Sequence, residues 1–300
     1  TSTAKQRPEG GWLWKISGNG LSHPSYLFGT YHGTYDILYQ YTDSIPELHQ
    51  AFNACSQFAG ESETTSKPTP AQVGVAIKLP KDTTYADLLN KEDFHFLDSI
   101  VRQSLKSPLN KVYIKPNFLA LILGEIEKGK KLVDTGYSQS QIDSMKSQVM
   151  DIALEKKAKE KGLTIVGLEG IFDAFVSEKS NLKKEADELI SDLREDDEIS
   201  PLSFVNTLSD VYRTQNMKSL IDFEVKVDSI FRTSPKLTEI GKRIREDLLK
   251  RRNLNWMNKI LELMKAQPTF IAVGVRHLPG KDGLIALLLE KGYQVEPIGL

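Results

Sequence analysis

Short apolar runs of strand character occupy both ends of the chain, and long stretches with apolar residues at helical spacing fill the middle. Gly11 to Ile16 and Tyr26 to Gly29 flank a turn-rich connector, Ser17 to Pro24, and predict a hairpin. Trp12 and Trp14 fall on one face of its first strand, an arrangement for packing. Ser44-Ile45-Pro46-Glu47 opens a helix with the stripe Leu48, Ala51, Phe52 and Cys55, and Ser56 to Gly60 predicts a short strand ending at Glu61. Glu63 shares a side with Glu61 if that strand continues. Pro68 to Pro80 reads as loop, and Thr84 to Leu89, Lys91 to Leu105, Asn117 to Lys128 and one long segment, Gln139 to Lys161, read as helices. Leu163 to Leu168 predicts a buried strand that finishes at Glu169. Helices resume from Ile171 to about Leu263, with breaks near Ser180, Ser200-Pro201 and Ser234-Pro235. Thr269 to Val273, a helix through Leu289 and a strand from Tyr293 to Ile298 then predict a βαβ unit with parallel pairing.

One stretch occurs twice. Ser25-Tyr26-Leu27-Phe28 runs into Gly29-Thr30-Tyr31-His32, and Thr269-Phe270-Ile271-Ala272-Val273 runs into Gly274-Val275-Arg276-His277. Each is a strand that breaks at glycine and carries a histidine three residues on, at the edge of an α/β sheet where ligands bind. The chain has five histidines, so two in this setting near opposite ends predict a fold that joins both ends at one site. His23, His49 and His95 read as solvated. The fold class is α/β (α+β): a mixed central sheet from the two chain ends with a large helical insertion, admitting a pseudo-twofold of two strand-GxxH halves. A single domain is expected over residues 11–300, with a mainly helical region at about 80–265 interrupted by a core strand near 163–168, and a flexible segment at 1–10.

Composition narrows the function classes. A hydrophobic content of 40%, 26% charged residues and a net charge of −1 give no global pull towards nucleic acid or an anionic membrane. The apolar runs are far shorter than the roughly 20 residues that span a bilayer, so a chain without a transmembrane segment is expected. The start at Thr1 rather than Met is compatible with a removed export signal and leaves the compartment open. Cys55 is the one cysteine, which excludes an internal disulfide and a Cys-rich zinc site.

The blocks Leu13-Trp14-Lys15-Ile16, Ser25 to His32, Gly167-Leu168-Glu169, Arg252-Asn253 with Trp256, Ala272 to Gly280 and Gly292 to Ile298 resemble the TraB/GumN family, within a superfamily that includes the Tiki metalloproteases. The resemblance runs from about Gly11 to Leu300. It implies a hydrolase of peptidase type that depends on a divalent metal (Mn, Co or Zn), acting on a peptide or small-molecule substrate. It also implies that His32, His277 and Glu61 bear on the metal, that Glu61, Glu169, Arg252 and Asn253 are catalytic, and that Asp151 is a further family acid. Three positions depart from the family pattern: the early strand ends Glu61-Ser62-Glu63, Arg251 stands where an acid is usual, and Arg276 stands where a small residue or leucine is usual.

Imidazole and carboxylate suit such ions, and Arg252 suits a substrate carboxylate or oxyanion, a role also open to Arg276. Two alternatives use the same residues: a metal-independent hydrolase similar to the erythromycin esterases, and a non-catalytic haem- or metal-binding protein similar to the ChaN-like proteins.

Overall fold

A computed structural model describes residues 10–31, 46–63, 68–147, 149–170, 172–173, 182–194 and 208–299. The chain divides into two compact units, one of residues 1–66, 145–171 and 201–300, the other of residues 67–144 and 172–200.

The first unit is built on a six-stranded sheet in the order β4-β3-β5-β2-β1-β6. Strands β1 (Leu13–Ser17) and β2 (Ser25–Thr30) form the expected antiparallel hairpin, with Leu13 opposite Phe28. Strands β3 (Gln57–Gly60), β4 (Thr164–Gly167) and β5 (Thr269–Gly274) join β2 in a parallel block of four, and β6 (Gln294–Pro297) closes the far edge. The two copies of the repeated stretch are immediate neighbours: β2 and β5 pair with Gly29 opposite Val273 and Thr30 opposite Gly274. Central strands buried on both faces need continuous apolar runs, and all six residues of β5 are buried.

Helices α1 (Pro46–Asn53), α7 (Met150–Glu160), α9 (Met217–Phe231), α11 (Arg251–Ala266) and α12 (Leu284–Glu290) belong to this unit. Their core-facing residues Phe52, Leu154, Phe223, Ile260 and Leu288 join Phe28, Phe58 and Phe270 of the sheet in one apolar cluster. Phe270 stacks on Phe58, with ring centroids 6.3 Å apart. Trp12 and Trp14 are both fully buried, their indole N–H groups donating to the carbonyls of Tyr212 and Gly11. Helix α10 (Pro235–Arg243) runs through a π-helical segment, Ile244–Lys250, into α11.

The second unit contains α2 (Pro70–Ile77), α3 (Tyr85–Leu88), α4 (Lys91–Leu105), α5 (Pro116–Asp134), α6 (Gln139–Ser147, which extends past its boundary) and α8 (Leu182–Arg194). Its own core holds Leu97, Val101, Leu109, Leu119 and Leu189. Among the described residues no helix is long and apolar enough to cross a membrane.

Several expectations need correction. Residues 70–77 are helical rather than loop, because Thr69 and Gln72 form a capping box and Pro70 occupies the first turn, where its missing N–H costs nothing. The long helix predicted from Gln139 breaks before α7, where Val149 is extended at ψ 134°. Strand β4 is a half-exposed edge strand, not a buried one, with β3 as its neighbour in the sheet order. Strand β6 pairs antiparallel with β1, not parallel with β5. It runs in the direction of β5, but β2 and β1 lie between them. Strand β3 ends at Gly60, so Glu61 and Glu63 are not strand neighbours on one face. His49 is half-buried rather than solvated. The predicted breaks near Ser180 and Ser200-Pro201 lie outside the described residues, whereas the break at Ser234-Pro235 separates α9 from α10.

Candidate active site

Three of the four parallel strands end in glycine, and the candidate residues come directly after them. Gly60 leads to Glu61, Gly167 to Leu168-Glu169, and Gly274 to a single 3-10 turn, Val275–His277. Backbone pairing of β3 with β4 continues past the strand ends: Leu168 N–H donates to Gly60 O and Glu169 N–H to Glu61 O at 2.9 Å. That extension sets the two carboxylates side by side. A Cβ on Gly167 would lie 2.7 Å from Glu63 N, so the chain leaving β3 crosses too close for any side chain there.

The fourth contributor comes from the first turn of α11. Arg252 directs its guanidinium into the carboxylate pair: Nη2 donates to Glu61 Oε2 at 2.5 Å and to Glu169 Oε1, and Nε donates to Glu169 Oε1 at 3.0 Å. Trp256, one helical turn on, donates its indole N–H to Glu169 Oε2 at 2.9 Å and lies against the guanidinium at 4.6 Å. Glu61 Oε1 also accepts the backbone N–H of Gly274 at 2.7 Å, which ties β3 to β5 across the site. The side chains of Arg252, Glu61 and Glu169 are 13%, 17% and 11% exposed. Burial opposes the arginine's charge, but hydrogen bonding and attraction from Glu169 and Glu61 outweigh it and raise the Arg252 pKa above its ordinary value.

His277 is buried against this cluster, its ring 4.7 Å from that of Trp256. Asn253 determines which nitrogen carries its proton. Asn253 Nδ2 donates to Asp282 O at 2.8 Å and to His277 O at 3.2 Å, which turns the amide oxygen to His277 Nδ1 at 2.7 Å. An amide oxygen only accepts, so Nδ1 is protonated and Nε2 of the neutral ring bears the lone pair. That nitrogen faces Glu61 Oε1 at 3.8 Å and Arg252 Nη1 at 3.4 Å. Nε and Nη2 of Arg252 are spent on the carboxylates, and Nη1 carries the remaining two hydrogens.

The structure thus brings Glu61, Glu169, Arg252, Asn253 and His277 together, whereas His32 lies outside the described residues. Asp151 stands at the same sheet edge, accepting from Thr30 Oγ1 at 2.7 Å at the end of β2. Arg276 is paired with Glu224 of α9. Trp256, noted beside Arg252-Asn253 in the sequence but given no role there, and the Gly274 amide, which was not foreseen, complete the site. The helical spacing of Trp256 from Arg252 was the available signal; the amide left none.

Among the described residues no group of three His, Cys, Asp or Glu side chains stands ready to hold a metal ion. Two donors fit one in their chemistry. Neutral imidazole and carboxylate suit Mn, Co or Zn, and the Nδ1–H of His277 is anchored as it commonly is in metal-ligating histidines. The 3.8 Å between Nε2 and Glu61 Oε1 is near the roughly 3.4 Å that two ligands span around an ion with bonds of roughly 2.1 Å. Further ligands must come from outside this pair.

A mixed sheet with histidine, paired glutamates and a bridging arginine at the carboxyl ends of its parallel strands defines an α/β protein with a part-buried ionic site. The chain belongs to the TraB/PrgY/gumN family, whose model matches residues 12–297. No curated protein and no solved structure matches the chain.

Proposed function

We propose that the chain is a hydrolase, of peptidase type, that works with a divalent metal held by His277 and Glu61. The observation that carries the reading is the tautomer of His277: Asn253 fixes the proton on Nδ1 and presents the Nε2 lone pair, the atom a ligand or a proton acceptor must offer. A divalent ion at that place would supply Lewis acidity and an acidified water near neutral pH. Glu169 is held rigid by Arg252 and Trp256, so its contribution is to fix the guanidinium rather than to move a proton. Arg252 Nη1, beside Nε2, is the donor placed to meet negative charge that develops on a carbonyl oxygen. Membership of the TraB/PrgY/gumN family is in keeping with the reading.

The test is elemental analysis of protein purified without chelator, then loaded with Mn, Co or Zn, alongside His277→Ala and a fluorogenic peptide-library assay. The expected result is near-stoichiometric metal, lost in the variant, and cleavage abolished by EDTA. Equal metal content in the variant overturns the assigned ligand.

One observation favours a second reading. Arg252 already gives both carboxylates a cation, and Nε2 would then take a proton from water directly. Cleavage that survives EDTA would support this metal-free hydrolysis.

A further inference from the structure

The turn that carries His277 is three residues long, too short to hold a ring by its own hydrogen bonding. Asn253 grips it from α11. A second grip comes from α9 and involves none of the residues in the proposed chemistry. Arg276, the residue before His277, forms a bidentate fork on Glu224, with Nε to Oε1 at 2.5 Å and Nη2 to Oε2 at 2.8 Å. Both side chains are 26% exposed, so water screens the pair only partly. One helical turn further along α9, Asp228 also attracts Arg276 and is paired with Arg245 of the π-helical segment.

The π-helical segment bears on the site through the helix it leads into. A π-turn shifts the angular position of every later residue on the rod, and here the next residues are Arg251, Arg252 and Asn253. A chain of charged groups, Arg276, Glu224, Asp228 and Arg245, with an arginine at each end and two acids between, therefore runs from the His277 turn through one face of α9 to the segment that leads into Arg252 and Asn253. The i, i+4 spacing of Glu224 and Asp228 places both carboxylates on that face.

We propose that the Arg276–Glu224 pair is a positioning device: it sets the orientation of the His277 ring against Asn253, and so keeps the lone pair on Nε2. It does not depend on a bound metal or on hydrolysis.

The test is 15N NMR of histidine-labelled protein at pH 8.5, where an ordinary imidazole is neutral, with the His277 signals assigned by their loss in His277→Gln. The wild-type protein should give the widely separated pair of shifts of an Nδ1–H tautomer. Arg276→Leu and Glu224→Gln should each reduce that separation by half or more as the other tautomer is admitted. The charge swap Arg276→Glu with Glu224→Arg should restore it. A melting temperature that falls while the shifts stay apart would show a merely structural pair and overturn the proposal. If Arg276→Leu does not fold, Glu224→Gln decides, since it keeps shape and one hydrogen bond; full separation there overturns the proposal equally.

Discussion

Replacing Arg252 by methionine removes the guanidinium that Glu61 and Glu169 share, while keeping an apolar stem against Trp256. Breaking a buried ion pair by deleting one partner costs about 3–5 kcal/mol, because the partner charge stays behind. Here two carboxylates stay behind, but at 17% and 11% exposure water reaches both, which brings the expected loss to the low end, about 3 kcal/mol. For a unit of this size each kcal/mol lowers the melting temperature by about 2–4 °C, so a drop of about 6–12 °C is expected. The chain has three tryptophans, Trp12, Trp14 and Trp256, all buried in the sheet-containing unit. Urea unfolding read by tryptophan fluorescence therefore reports on that unit. A cycle of Arg252→Met, Glu169→Gln and the double variant should give a coupling of about 1.5–3 kcal/mol. A loss below about 1 kcal/mol with no coupling would refute the reasoning, since the three side chains would then behave as solvated surface charges.

Two further outcomes turn on single atoms. Gly29→Ala would set a Cβ 2.8 Å from Val275 Cγ2 and 3.1 Å from Leu278 Cδ2, wedging β2 from the His277 turn; a loss of about 1–3 kcal/mol in the same assay is expected, and an unchanged midpoint would contradict the packing. Burial pushes the Cys55 thiol up from 9.0 to about 12. The folded state therefore keeps a proton that the unfolded state loses above about pH 9, so stability should fall from there towards pH 12. Cys55→Ala should flatten that fall, and at pH 8 the native thiol should react with a disulfide reagent far more slowly than in urea; equal rates would contradict its burial.

The ends of the chain were legible because their signals are local. A strand that stops at glycine and a histidine three residues later can be read wherever they occur, and the two copies are adjacent in the sheet. Glu61 and Glu169 were legible for a similar reason, each read at the end of a short predicted strand. What the sequence concealed is choice of neighbour. The direction of β6 is set by its connection, but its place beside β1 depends on which edge of the sheet is open. The fork between Arg276 and Glu224 joins residues 52 apart, and nothing in either segment marks the other. The helix at 70–77 was hidden by Pro70 and Gly74 within it and Pro68 and Pro80 beside it, which read as loop punctuation although Thr69 and Gln72 carried the cap.

The pairing of β2 with β5 has a consequence in time. Thr269 N–H is bonded to Ser25 Oγ across 244 residues, so the strands that frame the site are among the last parts of the chain able to meet. Such distant closure is slow and makes no stabilising contact until it is complete. During synthesis Glu61 and Glu169 emerge well before Arg252, the cation they share in the folded chain. A nascent chain therefore holds both glutamates of the site but no assembled site, which is complete only after β5 has entered the sheet.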